Sequence, residues 1–205
     1  MMSLIGYKIG MTSLYKNNKR YAVTKIKIIK CFFIKYIYYK KYKNVLIGYN
    51  IKKKEKINKP LLGILNNINI YCSSLKEFNF DKKINYKIGG RIKIDIFKKN
   101  KYVTIIGYSK GKGFQGVIKR HNFSGVGTKT HGQHNRLRTS GSIGAGSSPS
   151  RVFKGKKMAG RLGNKQVTIK NNKILKLDIK NNILYIKGSI PGTKKKYIFI
   201  KKSCI

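Results

Sequence analysis

Between Gly107 and Gly163 the chain gathers the side chains best suited to holding a polyanion and omits those that would neutralise them. Five of the seven arginines (Arg120, Arg136, Arg138, Arg151 and Arg161) and all three histidines (His121, His131 and His134) lie there. With them stand Lys110, Lys112, Lys119, Lys129, Lys154, Lys156 and Lys157, and no Asp or Glu occurs between Asp95 and Asp178. A guanidinium grips phosphate through two parallel hydrogen bonds and stacks on flat rings, which an ammonium cannot do. Phe114, His121, Phe123 and Phe153 are interleaved with the cations as stacking faces, and 13 of the 21 glycines fall in the same stretch. Glycine lets the backbone approach a phosphate closely and turn N–H groups toward it. Cations mixed with rings and glycine suit folded RNA, which is read through splayed bases and exposed hydroxyls. Composition alone leaves RNA and DNA both open.

Other chemistries fit the same residues badly. Gly111-Lys112-Gly113-Phe114-Gln115-Gly116 matches G-x-G-x-x-G after an expected strand. A dinucleotide site also needs a long helix opening at the third glycine and an acid about twenty residues on. Val117 to Phe123 is basic and soon broken by glycine, and Arg136 stands where the acid belongs. A kinase-type glycine loop fails as well, because no catalytic or metal-binding Asp follows. His131 and His134 have a spacing that some zinc sites use, but the stretch offers only His121 beside them and no Cys or carboxylate. Histidine hydrogen-bonding and stacking against RNA is the better reading. Ser140, Ser142, Ser147, Ser148 and Ser150 have no acid-oriented histidine to activate them. No enzyme, cofactor, metal or small-molecule substrate is expected.

The scaffold must come from the rest of the chain. At 205 residues it has 48 Lys+Arg against 5 Asp+Glu, a net charge of +43, which only an anionic partner balances. Lys, Asn, Ile and Tyr are codon-biased toward A and T, so an AT-rich genome accounts for part of the lysine count; clustered arginine resists that explanation. Apolar residues make up 40%, enough for a folded core. Ser3 to Tyr15 reads as a short strand and then a turn, Asn17-Asn18 as a hairpin turn, and Ala22, Thr24, Ile26 and Ile28 as one face of the next strand. Phe32 to Tyr39 and Asn44 to Ile51 follow as strands. Lys52 to Lys59 reads as a solvated loop, Pro60 to Leu65 as a short helix or an irregular subdomain, and Leu61 to Phe80 carries a poor signal. Ile92, Ile94 and Ile96 alternate with Arg91, Lys93 and Asp95 as a further strand, and Tyr102 to Gly107 is another. Gln166 to Lys170, Leu175 to Ile179, Leu184 to Lys187 after Asn181-Asn182, and Tyr197 to Lys201 complete the set. Short alternating strands predict a mainly β protein, a small barrel or sandwich from about 1–106 and 164–205 interrupted by 107–163.

Cys31, Cys72 and Cys204 are scattered and read as reduced thiols of an intracellular protein. No apolar run reaches membrane-span length, and no signal or transit peptide is expected ahead of the first strand.

Several longer motifs, in order, resemble one family. Ser109 to Phe123, Thr130-His131-Gly132, Gly141-Ser142-Ile143-Gly144 and Val152 to Gly160 are similar to the signature of the ribosomal protein L three family in its bacterial and organellar form. Ile5 to Thr12 and Lys187 to Gly192 resemble the two ends of that family, so the likeness runs almost end to end. It implies a translation-protein-type β-barrel with a long irregular, glycine-rich basic extension and a small, poorly defined insert over 52–80. It also implies a ribonucleoprotein role: binding large-subunit rRNA, nucleating subunit assembly and sending the extension toward the peptidyl-transferase centre. The residues nearest the catalytic RNA would be Gly141, Ser142, Gly144, Ala145, Gly146, Ser147, Ser148 and Pro149, flanked by Arg136, Arg138 and Arg151. Neighbouring large-subunit proteins would be L fourteen and L nineteen, and the site of action a ribosome in the cytoplasm of an AT-rich reduced-genome bacterium, or in a plastid or mitochondrial matrix. Bacterial relatives often carry a methylated glutamine where Ser147 falls, and serine cannot take that modification. The alternative class is a free nucleic-acid chaperone, which would bind duplexes of any sequence without joining large subunits stoichiometrically.

Overall fold

Asparagine pairs set the first and last hairpins of this chain. In the structure, a computed structural model describing residues 3–40, 42–79, 87–127, 132 and 135–203, β1 (Ser3–Lys16) turns into β2 (Lys19–Ile28) through Asn17 and Asn18. Both asparagines have positive φ, 50° and 55°, as a two-residue hairpin turn matching the strand twist requires. The molecule divides into two compact units, Met1–Tyr108 with Gln166–Ile205, and Ser109–Lys165.

The first unit continues with β3 (Cys31–Tyr38), β4 (Lys43–Ile51), α1 (Lys59–Leu65), β5 (Cys72–Asn79), β6 (Arg91–Ile92) and β7 (Tyr102–Tyr108). The second unit holds β8 (Phe114–Gln115), α2 (Val117–His121) and β9 (Gly160–Arg161). The chain then re-enters the first unit as β10 (Gln166–Asp178), β11 (Ile183–Lys187) and β12 (Tyr197–Lys202). The expectation of a mainly β protein is met. Six strands pair antiparallel in the closed order β1-β12-β7-β10-β11-β2, so this sheet leaves no open edge. Register shifts between Lys8 and Gly10 in β1, and between Ile169 and Asn172 and again between Ile174 and Lys176 in β10, mark bulges that bend long strands around the ring.

β3 and β4 do not join that ring, contrary to the expectation of one barrel. They form a second sheet of order β5-β4-β3-β6. One face of it shares a core with the ring: Phe33, Val45, Ile47 and Phe78 pack in the same buried cluster as Leu4, Ile26, Ile105, Leu184 and Ile200. Phe78 meets Phe199 at 6.0 Å and Tyr49 meets Tyr197 at 5.2 Å, both edge-on, the favoured aromatic geometry. The other face is covered by α1, through a smaller cluster of Ile34, Ile57, Leu65 and Cys72.

Residues 52–79 form defined elements where a small, poorly defined insert was expected, and residue 80 lies outside the described residues. Pro60 sits in the first turn of α1, where its missing N–H costs nothing, and Leu65 is buried. β5 escaped notice because Ser73, Ser74, Lys76 and Glu77 break its apolar alternation; it is held by full-length pairing to β4, Ile51 opposite Cys72 through Asn44 opposite Asn79. Three further faces shift. Val23 is fully buried and Ala22 exposed, the reverse of the even-numbered face. Only Arg91–Ile92 is strand, and Ile94–Phe97 is a 3-10 turn whose three-residue repeat puts Ile94 and Phe97 both into the core. In β10 the bulge brings Ile174 to the core beside Leu177, while Ile179, just past the strand, is exposed.

Cys31 and Cys72 are free, and both are fully buried. Burial pushes each thiol up to about 11. At pH ~8 only about one such thiol in a thousand is ionised, and the thiolate is the nucleophile. Iodoacetamide should therefore leave both residues unmodified in the native chain and label both after denaturation, as peptide mass spectrometry would read. Labelling at equal rates in the two states would contradict this packing.

Candidate nucleic-acid interface

The basic segment leaves the first unit at Tyr108 and returns at Gln166, and those two residues are paired neighbours on β7 and β10. Within the second unit the outgoing and returning backbones continue side by side. Ser109 N–H donates to the Lys165 carbonyl at 2.9 Å, and Lys165 N–H to the Ser109 Oγ at 3.1 Å. Lys112 N–H donates to Leu162 O and Leu162 N–H to Gly113 O, each at 2.9 Å. Phe114 then faces Arg161, and Gln115 faces Gly160, across β8 and β9. Glycine is required at the crossing: Gly163 has φ +80° and a side chain there would collide with the Lys110 carbonyl.

Beyond the ribbon comes α2, a helix of five residues. Gly116 precedes it in extended conformation and Asn122 ends it in the left-handed region, φ 59°. A dinucleotide fold would need a much longer helix here, so Gly111, Gly113 and Gly116 serve the ribbon and turn instead. The last residues of α2 are spent partly inside the unit. Arg120 Nη1 donates to the Met158 carbonyl at 2.6 Å, and His121 Nε2 lies 3.1 Å from the same oxygen. Gly160 leaves the space this guanidinium occupies, since a Cβ there would sit 2.5 Å from Arg120 Nη1. Sequence reading gave Arg120 and His121 to an external ligand, and the structure gives them first a fastening role. Met158 takes part through its backbone oxygen, for which a side-chain motif offers no signal.

Other cations face outward. Lys110, Lys112, Lys119, Arg136, Arg138, Arg151, Lys154, Lys156, Lys157 and Arg161 are all exposed. Lys129, His131 and His134 lie outside the described residues. The Arg151 guanidinium stands over the Phe153 ring at 5.7 Å, with Phe153 itself 60% exposed and Phe114 77%. Large rings left in water next to arginines are ready surfaces for bases.

Two arms of this unit meet beside α2. Gly125, at φ +73°, fits against the Leu137 carbonyl with no room for a side chain. A cleft of about 350 Å³ opens there between Asn122–Val126 and Thr139–Gly141. From Gly141 to Ser150 every residue is exposed. That stretch is shaped locally, by Ser142 Oγ donating to Gly144 O at 3.0 Å and accepting from Gly144 N–H at 3.3 Å. No group of three His, Cys, Asp or Glu side chains able to share a metal occurs among the described residues. The arrangement presents cations, rings and free-standing backbone without a carboxylate among them, which fits it to bind phosphate and stack bases.

Comparison with known proteins matches residues 68–179 to the family model described as Ribosomal protein L3. That span contains the whole second unit together with β10. The chain is also 42% identical over 207 residues to the Large ribosomal subunit protein uL3 of Chlorobium phaeobacteroides, with 98% of each chain covered.

Proposed function

This chain belongs to the ribosomal protein L3 family, and from that premise we propose that it is a structural constituent of the large ribosomal subunit, binding large-subunit rRNA through residues 109–165. It performs no catalysis of its own. The observation that carries the reading is the carboxylate-free second unit, whose ribbon positions exposed arginines and lysines beside exposed rings. Phosphates neutralise the cations, while Phe114, Phe153 and the arginine planes take unpaired bases.

The binding residues are Lys110, Lys112, Lys119, Arg136, Arg138, Arg151, Lys154, Lys156, Lys157 and Arg161. Arg120 and His121 add to them while fastened to Met158. Residues 141–149 are the part directed to the peptidyl-transferase centre, a role suited to a stretch with little side-chain bulk and no buried residue. The six-strand ring supports a translation-protein-type barrel as the body that docks on rRNA and starts assembly, beside L fourteen and L nineteen.

Proteolysis tests the central point. Trypsin should cut the isolated chain first within 109–165, where Lys and Arg are exposed, and should spare those bonds in purified large subunits. Protection should disappear when the subunits are stripped in high salt, because counterion release makes phosphate binding steeply salt-dependent. Equal cleavage of these bonds inside and outside the subunit would overturn the assignment.

A further inference from the structure

A second site lies in the first unit, away from the basic segment in sequence. Tyr7 on β1 stands directly opposite Tyr197 on β12 and Lys27 on β2. Directly opposed residues on neighbouring strands point to the same face, so the two rings and the ammonium form one row. That row walls a cleft of about 510 Å³, which Lys30, Arg91 and Asn182 also line. The tyrosines are half-buried, whereas Lys27, Lys30 and Arg91 are exposed. Rings therefore form the wall and positive charge the rim, and among the described residues no carboxylate lines the cleft.

We propose that this cleft seats one unpaired nucleotide of RNA, its base against Tyr7 and Tyr197 and its phosphate among Lys27, Lys30 and Arg91. The volume lies within the range that encloses small ligands, about 300–1,000 Å³. A paired base, held in a helix, cannot enter a concavity of this size. Asn182 supplies an amide able both to donate to and to accept from a base edge. The site belongs to the ring and its second sheet, so it acts independently of residues 109–165. It rests on the reading that the chain's partner is rRNA.

Ultraviolet cross-linking in purified large subunits, with mass-spectrometric mapping of peptide–nucleotide adducts, tests it. The expected adduct joins the Tyr7 or Tyr197 peptide to a nucleotide that is unpaired in the rRNA. Tyr7→Leu should remove that adduct, leave adducts from 109–165 intact, and weaken binding of the full chain to a large-subunit rRNA transcript by roughly tenfold because the base loses a stacking face. Its salt dependence should stay the same. Lys27→Ala with Arg91→Ala, two exposed positions that the fold does not need, should instead flatten the log–log salt slope by roughly 0.7 for each phosphate no longer neutralised. Adducts from 109–165 without any from Tyr7 or Tyr197 would overturn the cleft and leave the proposed function standing. No adducts anywhere and no co-sedimentation would overturn both. Saturable binding of uridine monophosphate with no adduct in subunits would assign the cleft to a free nucleotide, against the proposal.

Discussion

Charge reversal at Arg136, Arg138 and Lys156 together, each to Glu, is expected to exclude the chain from large subunits while the first unit stays folded. All three side chains are exposed in the second unit and no carboxylate precedes or follows them between Asp95 and Asp178. Among the described residues none of the three side chains makes an ion pair, so circular dichroism and the melting transition should match the parent. Binding should not. A hydrogen bond to a charged group contributes about 1.5–3 kcal/mol, and removing three such bonds costs at least ~4.5 kcal/mol, about three decades in affinity. Reversal adds repulsion from the phosphates, which a neutral substitution would not. The readout is the fraction of chain that co-sediments with large subunits in a sucrose gradient.

Total charge is the rival explanation, because any such triple change lowers the net charge by six from a chain at +43. Lys52, Lys54 and Lys56 provide the control. They are exposed, lie in the first unit, and sit in a lysine-rich stretch whose composition suits a solvated surface. Lys52→Glu, Lys54→Glu and Lys56→Glu together change the net charge identically. Normal incorporation of this control beside exclusion of the first variant assigns the effect to place. Normal incorporation of the first variant would sink the assignment of Arg136, Arg138 and Lys156 to rRNA.

The body of the fold was legible wherever one face of a strand is buried and the other wet. Thr24, Ile26 and Ile28 announce β2, and the Asn17-Asn18 and Asn181-Asn182 turns announce the hairpins, because positive φ leaves so few residue choices. Legibility fails at bulges, which insert one residue and flip the rule: at Ile174–Lys176 a strict count of two selects Leu175 with Leu177, while Ile174 reaches the core beside Leu177. It fails again for β5, whose identity comes from the partner strand and not from its own alternation. That β3 and β4 build a separate sheet is likewise a matter of long-range pairing, about which local periodicity is silent. In the second unit residue types named the chemistry but not the division of labour. Arg120 and Arg151 read alike in sequence, yet one is fastened to the Met158 carbonyl and the other stands over Phe153. The cleft at Tyr7 was invisible, since Tyr7, Lys27, Arg91 and Tyr197 meet only through the strand order.

Two glycines with almost the same backbone separate conformational strain from crowding. Gly155 and Gly163 have φ +83° and +80°. A Cβ on Gly155 meets nothing within 4 Å, while one on Gly163 runs into the Lys110 carbonyl. Alanine at either position incurs the left-handed penalty, about 1–2 kcal/mol. At Gly155 that is the whole effect, and the surrounding exposed turn can relax. At Gly163 the backbone must also withdraw from Lys110, two residues from the reciprocal bonds between Lys112, Gly113 and Leu162. Breaking both bonds adds about 1–3 kcal/mol and opens the ribbon that holds β8 against β9. Gly163→Ala should therefore speed hydrogen exchange at the Lys112 and Leu162 amides by more than about tenfold and sharply reduce incorporation into large subunits. Gly155→Ala should leave those amides and incorporation near parental levels. Because the ring and the second sheet carry their own core, neither variant should shift the main melting transition by more than a few degrees. If the two variants exchange and incorporate alike, the positive φ accounts for both, and the close approach of Gly163 to Lys110 has no part in shaping the RNA-binding surface.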